Sequence, residues 1–198
     1  MITYKIKITN QIDLTNYINQ FNNVIRFSYN RFQDNKKLKF SEIYQIIKST
    51  MNNIDLMDSF LISCAINKSE NLKEKEKVIF GGKKSFFLRK NNKISKEEFK
   101  SKRNFPLFLI GDKNRNGNRK CKLNIIENNS IILKLNRKTH IEVNLAKLSK
   151  HWKENLSRLQ ILAEQNLCCY SIEVNNDYIY IIFDEKILKI KDHKYKPD

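Results

Sequence analysis

The chain has 198 residues, with 38 Lys and Arg against 21 Asp and Glu, a formal net charge of +17. Its length and 40% hydrophobic content suit one domain with a real core, or two small ones. So large a basic excess points to a polyanionic partner. The lack of any apolar run of about 18 residues argues against a membrane-spanning helix, and the opening MITYKIKITN does not read as a signal peptide.

The first element is ITYKIKI, with Ile2, Tyr4, Ile6 and Ile8 on one face and Thr3, Lys5 and Lys7 on the other. That alternation predicts a half-buried strand. The period then changes: Leu14, Tyr17, Ile18, Phe21, Val24, Ile25, Ser28 and Phe32 recur every three or four residues, which predicts a helix of about five turns. Ser41 is a candidate cap for a second helix carrying Ile43, Ile46 and Ile47, and Asp55 for a third through Leu56, Phe60, Ala65 and Leu72. The third runs into the mixed-charge stretch KSENLKEKEK, read as a solvated helix end or linker.

From Val78 the pattern reads as β. VIF and SFFLR flank Gly81-Gly82 as short strands. SKEEFKSKR is a short helix, with Ser95 and Glu98 spaced as a capping box. PLFLIG, RKCKLNII, SIILKL and HIEVNL come next as strands, with turns at Asn128-Asn129 and at residues 136–138. An amphipathic helix carries Leu148, Trp152, Leu156, Leu159 and Leu162, and the strands CYSIEV and YIYIIF close the series around Asn175-Asn176-Asp177. With only 4 glycines and 2 prolines, the turns must lean on asparagine, which tolerates left-handed backbone angles.

Catalytic patterns are sparse. His140, His151 and His193 have no partner at metal-ligand spacing, and there is no HExxH, P-loop or GxSxG. Cys64, Cys121, Cys168 and Cys169 lack CxxC spacing, so reduced thiols are expected rather than zinc ligands or disulfides. Asp184 comes after a strand but has no obvious second and third carboxylate for a two-metal site. No catalytic residue, metal or cofactor is assigned to the chain.

The basic signal is concentrated. Lys83, Lys84, Phe86, Phe87, Arg89 and Lys90 come after the glycine pair, and Phe99, Lys100, Lys102 and Arg103 lie on the short helix. Residues 111–122 hold the other two glycines, Gly111 and Gly117, with Lys113, Arg115, Arg119, Lys120 and Lys122. Glycine permits close backbone approach, main-chain N–H groups bind phosphate oxygens, and Lys and Arg neutralise them. Two ordinary turns with solvated charges would look similar one at a time; their coincidence favours nucleic-acid contact.

In order, VIFGGKKSFFLR, ISKEEFKSKRNFPLFLIGD, NGNRKCKL and SIILKL resemble the N-terminal half of the RNA-guided nucleases of the transposon-associated TnpB type and the related type V CRISPR effectors. The match of order runs from residue 1 to about residue 185. The resemblance implies an α+β fold: a wedge-type, OB-like β-barrel with an inserted helical recognition subdomain. Residues 1–11 and 77–190 would form the wedge-like domain, 12–76 the helical insertion and 191–198 a tail. It implies RNA or duplex contact by Gly81, Gly82, Lys83, Lys84, Arg89, Asn118, Arg119 and Lys120. Asn23, Arg26, Tyr29, Asn30 and Arg31 would lie near the target-adjacent duplex. Lys90, Arg103, Lys113 and Arg115 complete the expected interface on their charge and position.

Family nucleases continue into a RuvC domain with three metal-binding acids, whereas this sequence ends at KDHKYKPD. The expectation is therefore a nucleic-acid-binding module that does not cleave alone, with a structured guide-like RNA as partner and target DNA as a second one. Two alternatives stand beside it. One is half of a split nuclease needing a separate RuvC-type chain. The other is a non-nuclease inhibitor or regulator using the same fold. The expected compartment is the cytoplasm of a bacterium or phage-infected cell, with no membrane partner.

Overall fold

The structure, a computed structural model, describes residues 1–75 and 77–189. The expected tail over 191–198, His193 and the wedge domain's last residue, 190, lie outside the described residues. The chain folds as two compact units, one from Met1–Leu14 with the segment from Leu107 onward, the other from Thr15–Pro106. The expected return from helices to the strand-rich part at residue 77 thus comes later: residues 77–106 lie in the helical unit.

In the strand-rich unit, β1 (Ile2–Lys7), β2 (Leu107–Leu109), β8 (Ser171–Val174) and β9 (Tyr178–Phe183) form an antiparallel sheet in the order β1-β9-β8-β2. β3 (Gly111–Asp112) and β4 (Gly117–Asn118) make a two-stranded ribbon, and β5 (Cys121–Asn124), β6 (Ser130–Lys134) and β7 (His140–Asn144) a three-stranded antiparallel sheet. The register Ile2↔Phe183 through Lys7↔Tyr178 turns Tyr4 and Ile6 to the same side as Ile179, Ile181 and Phe183, and all five are buried. The alternation in the sequence is the cause, since neighbouring strand residues point to opposite faces.

The free edge of β1 continues into the other sheet. Ile8 and Leu145 form an isolated antiparallel bridge, flanked by hydrogen bonds from Ala146 N to Lys7 O at 2.9 Å and from Thr9 N to Asn144 O at 2.9 Å. Among the described residues, none of the sheets is closed into a barrel.

Between strands lie α6 (Ile125–Asn128) and α7 (Lys150–Glu164). Ser149 caps α7, its hydroxyl accepting from Trp152 N, so Leu148 falls before the helix. α7 buries Leu156, Leu159, Leu162 and Ala163, and Trp152 stacks on Tyr4 with ring centroids 4.7 Å apart. Its Gln160 is buried, and the side-chain Oε1 accepts from Ile125 N at 2.8 Å, fixing the start of α6.

The helical unit holds α1 (Thr15–Asp34), α2 (Phe40–Thr50), α3 (Ser59–Glu70), α4 (Gly82–Lys90) and α5 (Lys96–Lys102). α1 buries Tyr17, Phe21, Val24, Ile25, Ser28 and Phe32, the stripe expected from its period, against α2 and α3. The caps differ from those expected. α2 begins after Lys39, whose backbone N–H donates to Glu42 Oε2 at 2.6 Å, and α3 after Asp58, whose Oδ1 accepts from Leu61 N at 2.9 Å. Ser95 caps α5 as its spacing predicts, accepting from Glu98 N at 3.0 Å.

The two strands expected around Gly81-Gly82 are not strands. Val78 donates its N–H to the Tyr29 hydroxyl at 3.1 Å, and the Phe80 ring meets Tyr29 edge-on, so VIF lies as irregular chain against α1. Gly81 and Gly82 take φ of 90° and 79°, and SFFLR belongs to α4. Two successive left-handed residues break an extended chain, and the segment beyond them is rich in helix formers (Lys, Leu, Arg) with no alternation. Three consecutive apolar residues, Phe86, Phe87 and Leu88, fit neither a half-buried strand nor a helix stripe.

Cys64, Cys121 and Cys168 are buried and outside any disulfide, while Cys169 is exposed. Ellman's reagent is expected to titrate one thiol quickly in the native chain and four in denaturant, with the fast phase abolished in C169S. A second fast thiol would place one of the other three outside the core.

Candidate nucleic-acid interface

Several of the cationic side chains line two clefts, one on each unit. On the helical unit, α1 places Asn19, Asn23 and Arg26 at spacings of four and three, hence on one helix face. α5 brings Lys100, and the chain leaving it brings Arg103 and Asn104. These six line a cleft of about 440 Å³.

A buried asparagine sets it up. Asn22, fully buried, donates to Ile18 O and Phe105 O, both at 2.9 Å, and accepts from Phe105 N at 2.8 Å. This fastens the chain after α5 to α1. Outside that clasp, Asn104 donates to Asn19 Oδ1 at 2.8 Å. Arg26 donates to Asn104 Oδ1 at 3.2 Å and to Asn23 Oδ1 at 2.8 Å. Amide oxygens thus orient the guanidinium, and no carboxylate stands among the described lining residues. Burial, and then the charge of Arg103, pull the Arg26 pKa below its ordinary value. Two guanidinium groups are held near each other without a counter-charge in the lining.

The glycine pair serves the same neighbourhood. A Cβ on Gly81 would stand 3.1 Å from Lys102 O and 3.2 Å from Arg103 Cγ, so the start of α4 seats closely on the end of α5. Gly82 has open space around it, and its φ alone accounts for the residue type.

The second cleft, of about 400 Å³, lies on the strand-rich unit and is lined by Arg115, Asn116, Asn118, Arg119, Cys121, Lys122 and Lys134. The β3–β4 ribbon presents Arg115 and Arg119 from its loop and end, and β5 and β6 present Lys122 and Lys134 from their exposed side. Asp112 caps the ribbon turn, accepting from Asn114 N at 3.1 Å, and pairs with Arg119 at 3.2 Å. That pair is half-exposed and contributes little to stability.

The segment GNRK is mostly turned inward. Asn118 is 4% exposed; its Nδ2 donates to Leu109 O and Tyr170 O at 3.1 and 2.9 Å, and its Oδ1 accepts from Lys120 N at 2.9 Å. Lys120 is 7% exposed, and its ammonium donates to Leu135 O at 3.1 Å. Gly117 has φ of 82° and lies against the Tyr170 ring. Of these four residues, Arg119 alone is exposed.

The other expected contacts sort in the same way. Lys83, Lys84, Lys90, Lys113, Asn30 and Arg31 are exposed, and Arg31 pairs with Asp34 at 3.3 Å. Arg89 is half-buried and donates to Ile94 O at 3.3 Å. Arg103 is half-buried, its guanidinium 5.7 Å from the Phe99 ring centre. Tyr29 is buried, its hydroxyl donating to Lys75 O at 2.9 Å and accepting from Val78 N, so it tethers the chain after α3 rather than facing outward. Asn118, Lys120 and Tyr29 therefore build the fold, a correction to their expected place at the interface.

Asn19, Asn104, Asn116 and Lys134 line the clefts without being among the expected contacts. Asn19 was findable as the residue one turn before Asn23 on the polar side of α1, and Lys134 from its outward parity in SIILKL. Asn104 carries no such signal.

No family model matches this chain, and no curated protein matches it. Among the described residues, no group of three or more His, Cys, Asp and Glu is placed to hold a metal ion, and no helix is long and apolar enough to cross a membrane.

Proposed function

We propose that the chain is a nucleic-acid-binding module, akin to the lobe of a TnpB-like RNA-guided nuclease that holds guide RNA and target DNA. The observation that carries this is the cleft of Arg26, Lys100 and Arg103, where oriented cations face one another with no carboxylate among the described lining residues. A phosphodiester supplies the missing negative charge and accepts two N–H donors from one guanidinium. The second cleft adds Arg115, Arg119, Lys122 and Lys134. The finer fold reading, a wedge-type barrel, belongs to the same proposal. It draws support from the antiparallel strands and from the bridge by which the end of β1, at Lys7 and Ile8, meets the chain after β7.

The test is anisotropy titration with a labelled structured RNA over a range of salt. Affinity is expected to fall steeply, with a slope of about 0.7–0.9 in log–log terms for each phosphate neutralised. R26Q/R103Q is expected to weaken binding and flatten that slope, as is R115Q/R119Q/K122Q independently, with circular dichroism unchanged. Binding that keeps its strength and slope in both variants would end the proposal.

A further inference from the structure

We infer that α4 is a stacking site for unpaired bases, so that the nucleic acid bound by this chain is single-stranded where it meets this helix. The inference rests on the nucleic-acid function proposed for the chain and adds what kind of strand is held.

α4 buries none of its residues. Phe86 and Phe87 are 45% and 55% exposed, an unusual place for two adjacent large apolar rings. Their centroids are 5.9 Å apart at 73°, an edge-to-face pair. Only the face of Ser85, Leu88 and Arg89 is half-buried, so this nine-residue helix gains little from tertiary packing and is marginal on propensity alone. It is held at its ends as well. Gly81 seats against Lys102 and Arg103, and beyond the last turn Lys93 N donates to Leu88 O at 2.8 Å, with Asn92 at φ of 54°. The chain thus fixes a short helix in position while keeping its rings in water.

The surroundings say what the rings meet. Lys83 and Lys84 lie one turn before them and Lys90 one turn after, all exposed, and no Asp or Glu occurs from Gly81 to Ser95. Lys83 to Lys90 covers about 10 Å of helix axis. Cations on both sides of an aromatic pair match a strand whose phosphates pass on either side of stacked bases. Every base has a π-face, so such a platform is sequence-tolerant, and a duplex, whose bases are already stacked, cannot use it. An interfacial membrane helix needs a broad apolar stripe along its length; here the apolar residues are three in a row.

The experiment compares a short unstructured oligoribonucleotide carrying one 2-aminopurine with the duplex made from the same sequence, for the parent chain and F86A/F87A. The expected result is quenching of the 2-aminopurine by the parent, and a roughly ten- to hundredfold loss of single-strand affinity in F86A/F87A. Duplex affinity, salt slope and unfolding midpoint should stay unchanged, and F86W/F87W should retain single-strand binding. If F86A/F87A holds the single strand as tightly as the parent, or loses the duplex equally, the stacking site is refuted while nucleic-acid binding survives. If the parent binds neither probe, both readings fall. Flotation with anionic phospholipid vesicles is the third arm: vesicle binding lost in F86A/F87A with single-strand affinity intact would assign the rings to a lipid surface and overturn the inference.

Discussion

Replacing Gly117 by alanine is expected to lower the unfolding free energy by roughly 2–5 kcal/mol, the sum of left-handed backbone strain and overpacking. The backbone φ of 82° already disfavours any side chain. A Cβ there would stand 2.6 Å from Tyr170 Cε1 and 2.7 Å from Ala163 Cβ, both inside the core. Neither neighbour has room to yield. Tyr170 is buried, its hydroxyl donates to Cys121 O at 2.8 Å, and its N–H donates to Gly117 O at 3.0 Å. Ala163 sits on α7, whose Leu159 and Leu162 are buried too. Against a total stability of about 5–15 kcal/mol, such a loss is visible in any urea titration. G82A is the internal control. Its φ is 79° but nothing lies within 4 Å, so strain of about 1–2 kcal/mol is all it should cost. Equal losses in the two variants would mean that the ribbon does not press on Tyr170.

The second large effect is expected at alkaline pH. Burial pushes the Cys168 thiol up to about 11, Cys169 adding to the rise and Lys113 opposing it. Burial also raises the Cys121 thiol, and raises the Tyr170 phenol well above its ordinary value. A group whose folded pKa is raised contributes stability that is complete below its unfolded pKa and is lost as pH climbs through the folded one. For the thiols the window opens near pH 8.5, and for the phenol near pH 10. Within its window each group removes about 1.4 kcal/mol of stability per pH unit. Urea midpoints should therefore be level from pH 7 to 8 and drop steeply from about 9 to 11. C121A/C168A should drop less steeply over the same range. A parent curve that stays flat to pH 11 would mean that these three groups titrate as if in water.

Much of the architecture can be read from period alone. The alternation of ITYKIKI and YIYIIF makes one face apolar in each strand, and those faces are the ones that meet in the β1–β9 pair. The helical spacing from Tyr17 to Phe32 recurs as the buried stripe of α1, with Ile18 half-buried at its margin and Leu14 buried just before the helix. Asparagine does replace glycine at left-handed positions: Asn92, Asn116, Asn129 and Asn166 have positive φ. α4 was not legible, because adjacent aromatics satisfy strand composition while the deciding fact, two positive φ values in a row, lies in the backbone. The interface was legible as composition and not as direction. The in-out alternation breaks on both sides of Arg119, between Gly117 and Asn118 and again between Lys120 and Cys121, each pair buried, so no parity rule tells that Arg119 points out while its neighbours point in. The clasp that Asn22 makes on Phe105 joins residues eighty-three positions apart, and nothing local announces it.

β1 pairs along its length with β9, so the first described strand to be synthesised finds its main partner only in the last described one. While the intervening segments leave the ribosome, Tyr4 and Ile6 lack the strand they pair with, and the locally connected helices of Thr15–Pro106 are free to form first. Completion of the four-stranded sheet is therefore gated by translation of β9, while the β5-β6-β7 sheet needs no strand made after it.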